Sequence, residues 1–177
     1  MRSAKLDQRL SKIRMILSDV DGVLTDGGIY FDNQGIEIKR FHVRDGLGIK
    51  LWKKAGFEFG LVTARSSHIV KVRAAELGID LIRQGFSDKL QIVQSIAEEH
   101  GLALDQICFI GDDLTDLGTF GHVGLAASVA DAIAEVRAAS HIVTKLPGGA
   151  GAVRELIEML LKSQALWDGL VQSYTKQ

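Results

Sequence analysis

Two short acidic clusters, Asp19-Val20-Asp21-Gly22 and Gly111-Asp112-Asp113-Leu114-Thr115-Asp116, stand in this chain with Thr63 and Lys89 between them. Carboxylates gathered in one place repel one another unless they share a cation. The oxygens on offer are carboxylate, carbonyl and hydroxyl, and no His or Cys is grouped with them. Such a set suits Mg²⁺, a hard cation that keeps several waters and bridges carboxylates to a phosphate. The chemistry this predicts is phosphoryl transfer. One carboxylate of the Asp19/Asp21 pair attacks phosphorus to give an aspartyl phosphate, and the other protonates the leaving oxygen and then activates water. An EF-hand is excluded by spacing, because its fifth and twelfth positions would fall on Val23 and Tyr30, neither of them a carboxylate ligand. A plain polar turn is the alternative for Asp19 and Asp21. Helix capping is the alternative for Asp112, Asp113 and Asp116, and it accounts for one of the three but not for all.

Lys89 follows Ser87, which reads as a helix N-cap, so the lysine falls in a first helical turn where a cation opposes the helix dipole. A phosphate bound at that helix start would repair the misfit. The five histidines, His42, His68, His100, His122 and His141, show no ligand spacing. Cys108 lies in an apolar run and reads as inert packing. Gly148-Gly149-Ala150-Gly151 has neither a Walker nor a dinucleotide spacing around it and reads as a flexible lead-in to the last long helix.

Short apolar runs alternate with segments of helical period, which is the pattern of βαβ units around a parallel sheet. Strands are predicted at 14–18, 57–62, 107–110, 123–126 and 141–144. Helical faces run through Leu47, Leu51 and Ala55, through Val70, Ala74 and Leu77, through Leu90, Val93 and Ala97, and through Val153, Leu156, Ile157, Leu160 and Leu161. In an open parallel sheet, ligands sit beyond the carboxyl ends of the strands, and Asp19, Thr63 and Asp112 each follow a predicted strand. One segment breaks the alternation: Gly28 to Phe31, the turn Asp32-Asn33-Gln34-Gly35, and Ile36 to His42 read as a β-hairpin. A two-stranded ribbon is marginal alone and needs something to pack on, with a partner subunit as the natural candidate.

The chain of 177 residues, 46% apolar and 24% charged, predicts one α/β domain over 1–177, with the hairpin inserted at about 27–42 and a tail at about 163–177. A net charge of -1 provides no basic field for nucleic acid. One cysteine excludes a disulfide framework and a Cys-rich zinc site, and fits a reducing, cytoplasmic setting. The polar stretch 1–12 and the short apolar run after it give no signal peptide or membrane span. In the tail, Leu166, Trp167, Leu170, Val171 and Tyr174 share one helical face, which predicts docking on a neighbouring subunit or over its active site.

These residues in this order, Asp19 to Asp26, Thr63, Lys89 and Gly111-Asp112-Asp113-x-x-Asp116, resemble the haloacid dehalogenase superfamily of phosphatases. The run Asp19 to Gly28, the hairpin, Phe41 to Ile49, Gln84-Gly85 and Gly148 to Glu155 look most like its capless branch acting on 3-deoxy-D-manno-octulosonate 8-phosphate. The resemblance covers about residues 13–162. It implies a doubly wound Rossmann-like fold with Asp19 as nucleophile, Asp21 as general acid/base, and Thr63 and Lys89 holding the transferred phosphoryl. It further implies Mg²⁺ held by Asp19, the Asp21 backbone carbonyl and Asp112, with Asp113 and Asp116 supporting the site. Substrate contacts are implied for Arg65, Arg73, Gly46, Gly148 and Arg154, an arginine fork being suited to a sugar carboxylate. The branch forms homotetramers whose hairpins assemble together and whose subunits complete one another's sites, and its product leads towards lipopolysaccharide.

Three other readings compete. Related enzymes act on nine-carbon sugar acid phosphates and carry Glu where Arg65 stands. A phospho-receiver module is also doubly wound and uses acidic residues with Thr and Lys, but its Lys comes after the last strand, whereas Lys89 precedes Asp112-Asp113. The last is a catalytically silent homologue, although no motif residue is missing.

Overall fold

Met15, Ile16, Leu17 and Ser18 are all fully buried, the mark of a strand covered on both faces. They form β1 (Met15–Ser18) at the centre of the computed structural model, which describes residues 4–175. The chain runs α1 (Ala4–Lys12), β1, β2 (Tyr30–Phe31), β3 (Glu37–Ile38), α2 (Val43–Lys54), β4 (Glu58–Thr63), α3 (His68–Leu77), β5 (Leu81–Gln84) and α4 (Lys89–Glu99). It continues through β6 (Ile107–Gly111), α5 (Leu114–Phe120), β7 (Leu125–Ser128), α6 (Ala134–Ala139), β8 (Ile142–Val143), α7 (Ala152–Ser163) and α8 (Trp167–Thr175).

Six strands form a parallel sheet in the order β5-β4-β1-β6-β7-β8, with β2 and β3 apart as an antiparallel pair. Helices α1, α2 and α7 pack together as one layer, and α4, α5 and α6 as another. Val153, Leu156, Ile157, Leu160 and Leu161, the predicted face of α7, have no exposed surface. The chain leaves β1 towards β4 and β5, then returns to β6 on the other side of β1. That reversal opens a crevice at the carboxyl ends of β1 and β6, where doubly wound sheets bind their ligands.

Several expected boundaries move. The sequence pattern predicts no strand at 81–84, yet β5 forms there; it is the edge strand, and its polar Arg83 and Gln84 hide the apolar run. The strand predicted from Val123 begins at Leu125, because Gly124 is tied to the preceding loop through its N–H to the Leu104 carbonyl (2.8 Å). The predicted 57–62 strand lies one residue later, at 58–63. The polar N-terminal stretch, for which the sequence pattern offers no element, carries α1, whose Leu10 is buried. The hairpin is shorter than predicted, with Tyr30 opposite Ile38 and Phe31 opposite Glu37. Its turn is held by the Asp32 Oδ1, which accepts from the Gln34 and Ile36 amides at 2.9 and 2.8 Å.

In the tail, α8 folds back onto its own chain. The Arg154 and Lys162 cations each lie 5.1 Å from the Trp167 ring, and Lys54 donates to Ser173 Oγ at 3.0 Å. Among the described residues, no helix is long and apolar enough to cross a membrane.

Candidate active site

Asp19 is the first residue past β1, and its amide donates to the Ile110 carbonyl of β6 at 3.0 Å. The side chain is therefore delivered to the crevice between the two strands. Its Oδ1 accepts from the Val20 amide at 2.7 Å, and its Oδ2 accepts from Lys89 Nζ at 2.6 Å. The same ammonium donates to Asp116 Oδ1 at 2.6 Å, and Asp116 Oδ2 accepts from the Asp112 and Asp113 amides at 2.8 and 3.2 Å. Lys89 is 2% exposed and Asp116 is 0% exposed. One oxygen from each of Asp19, Asp112 and Asp116 lies within 4.8 Å of the others.

Lys89 does start a helix, but the cap is Asp88 rather than the predicted Ser87: Asp88 Oδ1 accepts from the Gln91 amide at 3.1 Å. The anions that answer Lys89 within this chain are the carboxylates of Asp19 and Asp116. Asp113 is the N-cap of α5, with Oδ1 accepting from the Leu114 amide at 2.7 Å, and it is exposed. Of the three acids after β6, one therefore caps, one is locked by Lys89 and two backbone amides, and Asp112 is left with its carboxylate directed at the cluster.

The charges do not balance. Asp19, Asp112 and Asp116 face a single ammonium, so two negative charges remain in a largely buried space. Burial, opposed by Lys89 and reinforced by Asp116, pushes the Asp19 carboxyl up to about 6. Burial and the charges of Asp19 and Asp116 push Asp112 up to about 7. Burial works against the Lys89 charge, but the two carboxylates outweigh it and the ammonium is held above its ordinary value. A divalent cation would cancel the remaining charge, and the all-oxygen donors fit a hard one.

Gly22 makes room for this arrangement. Its φ is +84°, and a Cβ there would run into the Asp112 carboxylate. The Gly-rich stretch 148–151 is not the predicted slack lead-in. The Gly149 amide donates to the Val23 carbonyl at 3.0 Å and the Gly148 amide to Asp131 Oδ1 at 2.9 Å, while a Cβ on Gly148 would strike the Gly22 carbonyl. It clamps the loop that carries Asp21.

Thr63 ends β4 with its side chain buried; Leu61, two residues earlier, pairs with Ser18. Asp21 and Arg65 also meet at this edge, Arg65 Nε lying 3.5 Å from Asp21 Oδ2. The other predicted substrate residues go elsewhere in this chain. Arg73 pairs with Glu76 at 2.7 Å and covers the Phe41 ring, and Gly46 makes space for its guanidinium. Arg154 pairs with Glu158 at 2.8 Å, while its backbone amide donates to Asp45 Oδ1 at 2.7 Å and so ties α7 to α2. Cys108 is buried in β6, and burial pushes its thiol up.

The sequence pattern missed Glu37, Lys39 and Ser67. Lys39 Nζ bonds Asp21 Oδ1 and lies 3.2 Å from Glu37 Oε1. Glu37 also takes Arg65 Nη2 at 2.9 Å and Ser67 Oγ at 2.5 Å. The Ser67 hydrogen bond, with Arg65 and Lys39 behind it, holds the Glu37 carboxyl below the usual range. The available signal was the alternation of apolar and charged residues over 36–39.

Known proteins are similar to this chain in sequence and fold. The haloacid dehalogenase-like hydrolase family matches residues 73–156. The 3-deoxy-D-manno-octulosonate 8-phosphate phosphatase of Yersinia pestis is 40% identical over 92% of this chain and 87% of its own length. That of Escherichia coli K12 is 40% identical over 94% and 88%. A crystal structure of the Moraxella catarrhalis 3-deoxy-D-manno-octulosonate 8-phosphate phosphatase, in complex with a magnesium ion, a phosphate ion and KDO, superposes with a TM-score of 0.95. Its identity is 38%, covering 98% of this chain and 99% of that one.

Proposed function

The chain belongs to the haloacid dehalogenase-like hydrolases, in the family of the 3-deoxy-D-manno-octulosonate 8-phosphate phosphatases, and we propose that it hydrolyses that sugar acid phosphate to the free sugar acid and phosphate, a step towards lipopolysaccharide. The observation that carries this reading is the unbalanced carboxylate cluster around Lys89 at the crevice of β1 and β6.

In this reading Asp19, Asp112 and the backbone carbonyl of Asp21 hold Mg²⁺, and Asp116 and Asp113 support them. Bound there, the ion would supply positive charge to neutralise phosphate oxygens. A carboxylate oxygen of Asp19 attacks phosphorus, the bond from phosphorus to the sugar oxygen breaks, and Asp21 delivers its proton to that leaving oxygen. Asp21, now ionised, takes a proton from water as the water attacks the same phosphorus, and the bond to Asp19 breaks to release phosphate. Lys89 fixes the Asp19 carboxylate and faces the equatorial oxygens, with Thr63 as a further donor. Arg65 reads the sugar carboxylate. Gly148 keeps the Asp21 loop in place, and Gly46, Arg73 and Arg154 are assigned to the sugar end of a site completed by a second subunit. The hairpin, with Ile29, Tyr30, Phe31, Ile36 and Ile38 exposed, fits a homotetramer built on that face, and the single cysteine suits a reducing, cytoplasmic setting.

The test is phosphate release from 3-deoxy-D-manno-octulosonate 8-phosphate with Mg²⁺, set against a panel of sugar phosphates that includes the nine-carbon sugar acid phosphates, ranked by kcat/KM. Asp19→Asn is expected to lower turnover by at least about a thousandfold with an unchanged circular dichroism spectrum. Retained turnover in that variant sinks the nucleophile assignment, and a preference for the nine-carbon ester sinks the substrate assignment.

A further inference from the structure

The second strand of the hairpin has two faces of opposite character. Ile36 and Ile38 are 59% and 54% exposed, whereas the Lys39 side chain is 1% exposed and that of Glu37 is 16% exposed. Successive residues of a strand point to opposite sides, so the apolar pair faces outward and the charged pair turns in beneath it. An inward-facing lysine with almost no exposed surface requires countercharges, and here they come from the catalytic edge.

Four groups form a closed ring of alternating sign. Lys39 bridges Asp21 and Glu37; Arg65 bridges the same two carboxylates, at 2.9 Å from Glu37 Oε1 and 3.5 Å from Asp21 Oδ2. Ser67 Oγ closes the remaining Glu37 oxygen at 2.5 Å. Both Asp21 carboxylate oxygens are thus met by cations, one from the hairpin and one from the loop after β4. The loop carrying Asp21 supplies no hydrogen bond to that carboxylate among the described residues.

We propose that Lys39 and Glu37 are positioning residues: Lys39 aims the Asp21 carboxyl, Glu37 aims the Arg65 guanidinium, and the hairpin thereby shapes both the proton-transfer step and the selection of a carboxylated substrate. The inference rests on the roles given above to Asp21 and Arg65. Lys39 acts on every substrate, since hydrolysis of the aspartyl phosphate common to all of them uses Asp21 as the base that activates water. Glu37 acts on substrates that present a carboxylate to Arg65. The outward isoleucines lie between and beside these two residues, so contact made on the outer face of the strand is transmitted to the ring inside.

The experiment uses the full chain with Mg²⁺ and two substrates, 3-deoxy-D-manno-octulosonate 8-phosphate and p-nitrophenyl phosphate, which lacks a carboxylate. Lys39→Met is expected to lower kcat on both by about a hundredfold, the scale of a misplaced catalytic group, and Lys39→Arg to recover at least about a tenth of the wild-type rate. Glu37→Gln is expected to raise KM for the sugar acid phosphate, lowering the ratio of its kcat/KM to that of p-nitrophenyl phosphate about tenfold, the scale of one charge-assisted hydrogen bond. Circular dichroism and sedimentation of each variant identify loss of fold or assembly. A well-folded Glu37→Gln that lowers kcat/KM for both substrates in equal proportion, or a well-folded Lys39→Met that keeps its kcat, overturns the proposal. If the wild-type chain itself does not distinguish the two substrates, the substrate reading of Arg65 fails instead, and Lys39→Met on p-nitrophenyl phosphate still decides the positioning of Asp21.

Discussion

The crevice between β1 and β6 and the hairpin break the ordinary rule of folding in opposite directions. The crevice buries charge: Lys89, Asp19 and Asp116 are withdrawn from water. The hairpin exposes apolar surface, with Phe31 and Ile36 each 59% exposed, although such groups gain about 25 cal/mol for each Å² removed from water. Buried charge is tolerated where geometry and countercharge are fixed, and it marks a place made for an ion or a charged ligand. Exposed apolar side chains gathered on one ribbon mark a place made for another protein surface. The two regions meet at Asp21, which takes its position in the crevice and its ion pair from Lys39 of the hairpin.

The sharpest way to break this contrast is to remove the ammonium that makes the crevice tolerable. Lys89→Met leaves Asp19 and Asp116 buried against each other, and the expected loss is about 3–5 kcal/mol in urea unfolding together with a thousandfold or larger fall in turnover, roughly. A stability loss under about 1 kcal/mol would mean that the cluster is wetter than its burial indicates. On the hairpin, Phe31→Ser combined with Ile36→Ser is expected to lower the assembled mass in sedimentation velocity while the far-ultraviolet spectrum stays that of the wild type. An unchanged mass removes the partner from that face.

The smallest expected effect concerns pH. The Asp19 and Asp112 carboxyls lie at about 6 and about 7, above their ordinary value of 3.8. The folded, metal-free chain therefore holds protons that the unfolded chain releases, and its stability falls as pH rises through the window from about 4 to about 7. Mg²⁺ binds the ionised carboxylates and removes that repulsion. The Mg²⁺-induced rise in Tm is expected to be larger at pH 8 than at pH 5, by roughly 2–4 °C for each kcal/mol of linked stabilisation. An equal rise at both values places the ion away from these two carboxylates.

Much of the sheet is legible in the sequence, because buried central strands such as β1 and β6 are unbroken apolar runs and α7 has a clean helical face. The strand that escaped, β5, is an edge strand whose last two residues are polar. The cap of α4 was misread by one residue because Ser87 and Asp88 are both good caps, and the choice between them rests on which side chain reaches the Gln91 amide. The tail face of α8 is visible as a stripe, but a stripe does not say which surface it meets, and here part of it lies on α7 and α2.

The acids of the crevice can be read from residue order alone, because carboxylates placed directly after predicted strands are carried to one edge of a parallel sheet wherever the chain goes next. The partners of Asp21 cannot, because they come from distant parts of the chain. Lys39 lies 18 residues from Asp21 along the chain, and Glu37 lies 28 residues from Arg65. No local periodicity links groups so far apart. Their pairing follows from how a short ribbon folds over the sheet edge, and an ion pair exists only once both backbones have been brought within a few ångströms of each other.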